Sequence, residues 1–324
     1  MSELTPQSMD AMVASFPDQL RWALGVDVPA VVSERVLACG MGGSGVAGDY
    51  VQRLASAYGR EVAVHKDYGI PPWAYRVRPL IVVTSYSGNT EEAISSLVAA
   101  AEGGLDIVAV TTGGELTRLA ASEGIPIVGL EAGYQPRAAF GMCFGALIRI
   151  VAGAGLIPDP RVEIEAAAVT LDDALENSGA VVHEIAGHVA GRPVGVLTAE
   201  PLGAVAYRWK TQFNENADRY ASASIVPELT HNELVPLVAG AAPALLALRS
   251  GVESAAVRQR FKLLHQAIPE PVLEVQARGA TDLERMLHLT LVGDLATVAV
   301  AKTAGVDPVA VDALERFKKK LRER

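Results

Sequence analysis

Cysteine is scarce in this chain: two in 324 residues, Cys39 and Cys143, each inside an apolar segment. A disulfide framework is excluded, and two thiols so far apart make no zinc site. A reducing, cytoplasmic setting is the expectation. Basic charge is also in deficit. Twenty-eight Lys and Arg stand against 37 Asp and Glu, giving a net charge of −9. Such a chain offers no broad cationic footprint, so neither nucleic acid nor an anionic lipid surface is an expected partner. An anionic ligand would need a local site built for it. No apolar run of about 18 residues escapes a charge, Gly or Pro, so no membrane segment is expected. The opening MSELTPQSMD is too polar and acidic for a signal peptide. Internal repeats and low-complexity tracts are absent too.

What is present is apolar material: 50% of the residues are hydrophobic and 20% charged. That suffices for a sizeable core and excludes disorder as the main state. The length suits two domains or one large α/β domain. Residues 6–24 read as helix, interrupted at Pro17. Short apolar runs then alternate with helical stretches. Strands are expected at Arg35–Cys39, Glu61–Val64, Leu80–Thr84, Asp106–Thr111 and Ile125–Leu130, with a helix from about Val46 to Tyr58. Residues 137–190 read as wholly helical. A second series follows, with strands at Val194–Thr198, Ala221–Val226, Ala244–Leu248 and Pro271–Gln276. Its helices are expected near 202–217 and 252–267, and the chain ends in helices at 281–304 and 308–323. This alternation indicates parallel sheets covered on both faces. The expected division is an N-terminal helical segment (1–30), a first α/β lobe (31–155), and linking helices with a second lobe and C-terminal helices (156–324).

Two strand-to-helix turns could hold a ligand. One is Gly42-Gly43-Ser44-Gly45, the other Ser85-Tyr86-Ser87-Gly88-Asn89-Thr90. Each lies at the carboxyl edge of a parallel sheet, where open α/β sheets bind ligands. Glycines allow close backbone approach, and helix N-termini offer amides to an anion. Hydroxyls and amides without a lysine suit a small-molecule phosphate monoester. Neither the nucleotide P-loop pattern nor G-x-G-x-x-G is present. Singly, each turn is better explained by capping and turn formation alone. Two in one lobe leave both readings open.

Three further clusters follow. Arg137 lies in Tyr134-Gln135-Pro136-Arg137-Ala138, after the fifth strand, and read alone is an exposed charge opening a helix. Glu215 lies in Asn214-Glu215-Asn216, near a helix end. His231 lies in Thr230-His231-Asn232-Glu233, just after a strand. The Glu and His have no metal-ligand spacing. The basic tail FKKKLRER reads as a solvated helix end.

The turns at 40–45 and 85–92 resemble the sugar isomerase (SIS) domain. Taken in order, MGGSG, SYSGNTEE, PRAAFG, FNENA and HNEL resemble the bifunctional phosphoglucose/phosphomannose isomerase family. FPDQL near the start and GVDP…FKKKL near the end are also similar. The resemblance implies two flavodoxin-like, parallel-sheet SIS lobes joined by a helical segment, and a homodimer. It implies that Gly43, Ser44, Ser85, Ser87 and Thr90 hold the phosphate of a hexose 6-phosphate. Arg137 would stabilise a charged intermediate, and Glu215 would be the base. His231 would assist ring opening from the partner subunit, together with a C-terminal lysine, best matched by Lys318 although Lys319 and Lys320 adjoin it. In the family a threonine shortly before that lysine is thought to leave room for the mannose epimer. Here the stretch is Val309-Ala310-Val311, so activity on glucose 6-phosphate is the firmer expectation.

These residue types suit aldose–ketose isomerisation through a cis-enediolate. One carboxylate can carry the proton between C2 and C1. A guanidinium opposes the developing oxyanion. A histidine moves the ring-opening proton near neutral pH. No metal or redox cofactor is required. The alternative reading is a non-catalytic SIS regulator that binds phosphosugars.

Overall fold

The apolar runs become strands because they have no polar face to offer water. All five residues of Leu80–Thr84 and of Ile107–Thr111 are buried, as parallel strands covered on both sides require. A computed structural model describes residues 8–323, and the chain divides into two compact units. The first comprises Ala11–Asn177 and Ala277–Leu291. The second comprises Ser8–Asp10, Ser178–Gln276 and the chain from Val292 onward.

The chain opens with α1 (Met9–Ala14) and α2 (Phe16–Leu24). It continues through β1 (Arg35–Cys39), α3 (Gly42–Ala57), β2 (Glu61–His65), α4 (Pro72–Val77), β3 (Leu80–Thr84) and α5 (Glu91–Glu102). Then come β4 (Ile107–Thr111), α6 (Gly114–Ser122), β5 (Ile127–Gly129), α7 (Phe140–Gly153) and α8 (Arg161–Asn177). The five strands form one sheet in the order β2-β1-β3-β4-β5, every pair parallel. Phe140 packs edge-on against Tyr50 at 4.9 Å and Phe16 at 5.8 Å between ring centres. That cluster ties α2 and α3 to α7.

The second unit opens with α9 (Gly179–Val189). It continues with β6 (Val194–Ala199), α10 (Gly203–Ala217), β7 (Ala221–Val226), α11 (Leu234–Val238), β8 (Ala244–Arg249), α12 (Ala255–Ala267) and β9 (Val272–Gln276). Its sheet runs β7-β6-β8-β9, again all parallel. The order repeats the first four strands of the other sheet. The helix α13 (Asp282–Ala304) spans the change from one unit to the other, and α14 (Asp312–Arg322) closes the chain.

The α/β, parallel-sheet expectation is met, and the strands lie within two residues of their expected places. Other details differ. The opening helix breaks at Ser15, because Pro17 sits in the first turn of α2, where its missing N–H costs nothing. Residues 6 and 7 of that expected helix lie outside the described residues. The stretch 137–190 is three helices, with Arg137 ahead of the first. By length and composition α13 could cross a membrane, where no such segment was expected because Gly293 and Asp294 interrupt its apolar residues. In the structure 78% of its apolar window is buried inside the protein, as in a core helix.

Candidate active site

The first sheet changes direction between β1 and β3. From β1 the chain crosses outward to β2, and from β3 it proceeds the other way to β4 and β5. The loops leaving β1 and β3 therefore diverge, and the crevice at their carboxyl ends is where open sheets bind ligands. Both candidate turns lie there.

The helix α3 begins at Gly42, four residues earlier than its sequence suggests, so Gly43 and Ser44 are in its first turn. Ser44 is buried. Met41 at the N-cap supplies no side-chain hydrogen bond. A Cβ at Gly43 would stand 3.2 Å from both the Arg137 Cα and the Pro136 carbonyl. A side chain here would push the 136–137 backbone back by a few tenths of an ångström. Nearby, Lys66 at the end of β2 pairs with Asp49 of α3. Burial raises the Asp49 pKa against the opposing pull of that lysine.

In the second turn Thr90 is the N-cap of α5 but does not cap it. Instead Ser85 Oγ donates to Thr90 Oγ1 at 2.9 Å. The first amides of α5 are thus left without a side-chain cap, at the positive end of the helix dipole. Ser87 is exposed and Ser85 buried. The turn is braced by the start of α6 and by itself: Asn89 Oδ1 accepts the Glu115 amide at 3.1 Å, and Asn89 Nδ2 donates to the Ser87 carbonyl at 3.0 Å. Gly88, at φ +68°, lies under the 113 backbone, and a Cβ there would be 1.8 Å from the Gly113 carbonyl oxygen.

Arg137 is 4% exposed, where the plainer sequence reading expected an exposed charge. The reason is the turn that carries it. Tyr86, from the β3 loop, donates to the Glu131 carbonyl at 2.8 Å and accepts the Tyr134 amide at 2.9 Å. Burial pushes the Tyr86 phenol up to about 12, so it remains a neutral clamp. Gln19 of α2, 3% exposed, donates to the Ala138 carbonyl at 2.8 Å and accepts the Met142 amide at 3.3 Å. Neither Gln19 nor Tyr86 was singled out from sequence as a supporting residue. The signal was there: a Gln on the apolar face of α2, within FPDQL, needs a buried partner.

Glu215, His231 and Lys318 belong to the second unit. Glu215 is in the last turn of α10. It lines a cavity of about 630 Å³ with Asn214, Asp218, Gly305, Asp307 and Arg316. Arg316, which sequence reasoning did not consider, is the basic residue of the C-terminal helix on this wall. Lys318 is not among its lining residues. His231 ends a short 3₁₀ turn, Glu228–His231, and is exposed. Its neighbours are held: Thr230 accepts from Arg260 at 2.7 Å, and Ser224 donates to Glu233 at 2.7 Å. Among the described residues no cluster of three or more His, Cys, Asp or Glu could hold a metal. Cys39 is buried, and desolvation raises its thiol to about 12, so it is inert as a nucleophile.

Residues 181–321 match the model of the bacterial phospho-glucose isomerase C-terminal SIS domain. The chain is 34% identical to the bifunctional phosphoglucose/phosphomannose isomerase of Thermoplasma acidophilum, over 88% of this chain and 89% of that protein. It is 30% identical to the protein of the same name from Aquifex aeolicus, over 96% and 98% of the two chains. In fold it is similar to a hypothetical protein from Thermus thermophilus, with a TM-score of 0.76 at 16% identity, covering 99% of this chain and 91% of that one. With MGGSG, SYSGNTEE, PRAAFG, FNENA and HNEL all in place, the chain belongs to the bifunctional phosphoglucose/phosphomannose isomerase family.

Proposed function

We propose that the protein interconverts fructose 6-phosphate with glucose 6-phosphate and, more slowly, with mannose 6-phosphate, through a cis-enediolate. The observation that carries this reading is the convergence of two turns, 40–45 and 85–90, with the 134–137 turn at the β1/β3 edge, in a member of this family. Each unit is read as one SIS lobe, supported by the shared strand order. The phosphate is taken by the Gly43 and Ser44 turn and by Ser85, Ser87 and Thr90, using hydroxyls and the first amides of α3 and α5. Phosphate is not altered in the reaction; its binding energy positions the carbons.

Glu215 is the base that takes the C2 proton and returns it to C1. Arg137 is the cation opposite the enediolate oxygen. A guanidinium already held in a buried turn needs little reorganisation as charge develops, which favours the transition state over the ground state. His231, supplied by the partner subunit of a homodimer, moves the proton between ring oxygen and anomeric hydroxyl, with Lys318 assisting. Ala310 and Val311 line the Glu215 cavity, in the stretch where the family places a threonine. The slower rate on the mannose epimer rests on that difference. A cytoplasmic location accords with two buried free thiols. A regulator that only binds phosphosugars would have no use for Glu215, His231 and Arg137 together.

Incubation of the purified protein with fructose 6-phosphate, followed by chromatographic separation, tests this. Glucose 6-phosphate should accumulate first and mannose 6-phosphate later. Recovery of fructose 6-phosphate alone would leave the regulator reading.

A further inference from the structure

The base of the proposed reaction stands in an unpromising place. Glu215 lies in the last turn of α10, where helices fray because their final carbonyls lack partners. A displacement of about 1 Å in a reacting group can lower turnover roughly a hundred-fold. The residues on either side of Glu215 each counter this. Asn214 Oδ1 accepts the Ala221 amide at 3.0 Å, clipping the helix end to the start of β7. Asn216 Nδ2 donates to Thr297 Oγ1 of α13 at 3.0 Å, both residues being 0% exposed. The Thr297 hydroxyl in turn donates to the Asp294 carbonyl.

Arg208, Gln212 and Asn216 recur every four residues and so share one stripe of α10, facing α13. Asp294 receives Arg208 Nη2 at 2.6 Å, Arg208 Nε at 3.2 Å and Gln212 Nε2 at 2.9 Å. Beside it, a Cβ at Gly293 would be 2.3 Å from Trp209 Nε1, so the glycine leaves the space on α13 that the Trp209 indole occupies. A buried ion pair is an inefficient stabiliser compared with apolar packing. What it does is admit a single register. A screw displacement of one residue turns a helix by about 100°; it would break all of these contacts and carry Glu215 to another face.

We infer that Asn214, Asn216 and the Arg208–Gln212–Asp294 seam are positioning residues that fix the Glu215 carboxylate for proton transfer. This rests on the reading of Glu215 as the base. Asn216→Ala and Thr297→Val should each lower kcat about ten- to a hundred-fold and leave KM for fructose 6-phosphate within about two-fold. The double variant should lose less than the two single losses combined, because both remove the Asn216–Thr297 hydrogen bond. Thr297→Ser, which keeps the hydroxyl, should recover the loss. Added to Glu215→Gln, Asn216→Ala should change the residual turnover no further. Asn214→Ala, at the exposed end of the helix, supplies the same kcat test if the buried changes prevent folding. Wild-type kcat in the folded variants, or a parallel rise in KM, would overturn the positioning role even though Glu215→Gln is inactive. Full turnover in Glu215→Gln would remove the base itself, and this inference with it.

Discussion

Ser87 and Thr90 differ in what they already do. Thr90 accepts the Ser85 hydroxyl, while the exposed Ser87 hydroxyl accepts the Asn89 amide at 3.3 Å and keeps its own proton to donate. A hydrogen bond to a charged oxygen contributes about 1.5–3 kcal/mol. Ser87→Ala/Thr90→Ala should therefore raise KM for fructose 6-phosphate by at least about ten-fold with a smaller change in kcat, as steady-state kinetics would show. An unaltered KM would place the phosphate elsewhere. A second residue-scale expectation concerns His288, in the first unit. It is 3% exposed, and neither ring nitrogen has a hydrogen-bond partner among the described residues. Burial lowers its pKa from 6.5 to about 4, with Arg278 adding to the lowering and Asp173 opposing it. The unfolded chain thus binds the proton first as pH falls. This residue's contribution is intact above pH 6.5 and declines by up to about 3 kcal/mol between pH 6.5 and 4. Denaturant titrations of the wild type and His288→Leu should show a shallower decline with acid in the variant. Parallel curves would mean the imidazole is not held neutral.

Among the elements, the strands were the most legible, because a run such as LIVVT buried on both faces can do little else. The early start of α3 was not legible. Gly-Gly-Ser-Gly has poor helix propensity, and what makes it helical is the close approach of the 40, 84 and 136–137 backbones, a tertiary fact. The burial of Arg137 was hidden for a similar reason. It depends on Tyr86 and Gln19, which are 51 and 118 residues away in the chain. The candidate residues themselves could be read because motifs survive as words. Their supports are dispersed, and only Gln19 left a trace as a polar residue on an apolar face. The same crowding yields a test at this scale. Gly88→Ala would place a methyl at φ +68° within 1.8 Å of the Gly113 carbonyl oxygen. It should lower stability by more than about 1 kcal/mol and weaken phosphate binding together, as thermal denaturation with and without fructose 6-phosphate would report. A variant with wild-type Tm and KM would show that this turn does not need its glycine.

For the whole molecule, the proposed homodimer makes a claim that no single-chain variant can test. Glu215→Gln and His231→Ala should each be inactive alone. If the two residues serve one site from different chains, a mixed dimer holds one site with both defects and one with neither. Random subunit exchange, verified with tagged chains, should then restore about a quarter of wild-type activity. Verified exchange without recovery would place both residues in one subunit while leaving the isomerase reading intact.

The central claim is that a carboxylate at position 215 carries the sugar's proton, and the hydrogen itself can be followed. Fructose 6-phosphate is incubated in deuterium oxide with the wild type or Glu215→Gln, and the C1 and C2 protons are followed by NMR. The wild type should form glucose 6-phosphate and incorporate deuterium at exchanged positions. Glu215→Gln should still bind the sugar phosphate but lose exchange by at least about a hundred-fold, about 2.7 kcal/mol in the barrier. Exchange at the wild-type rate in Glu215→Gln would contradict the account at its centre.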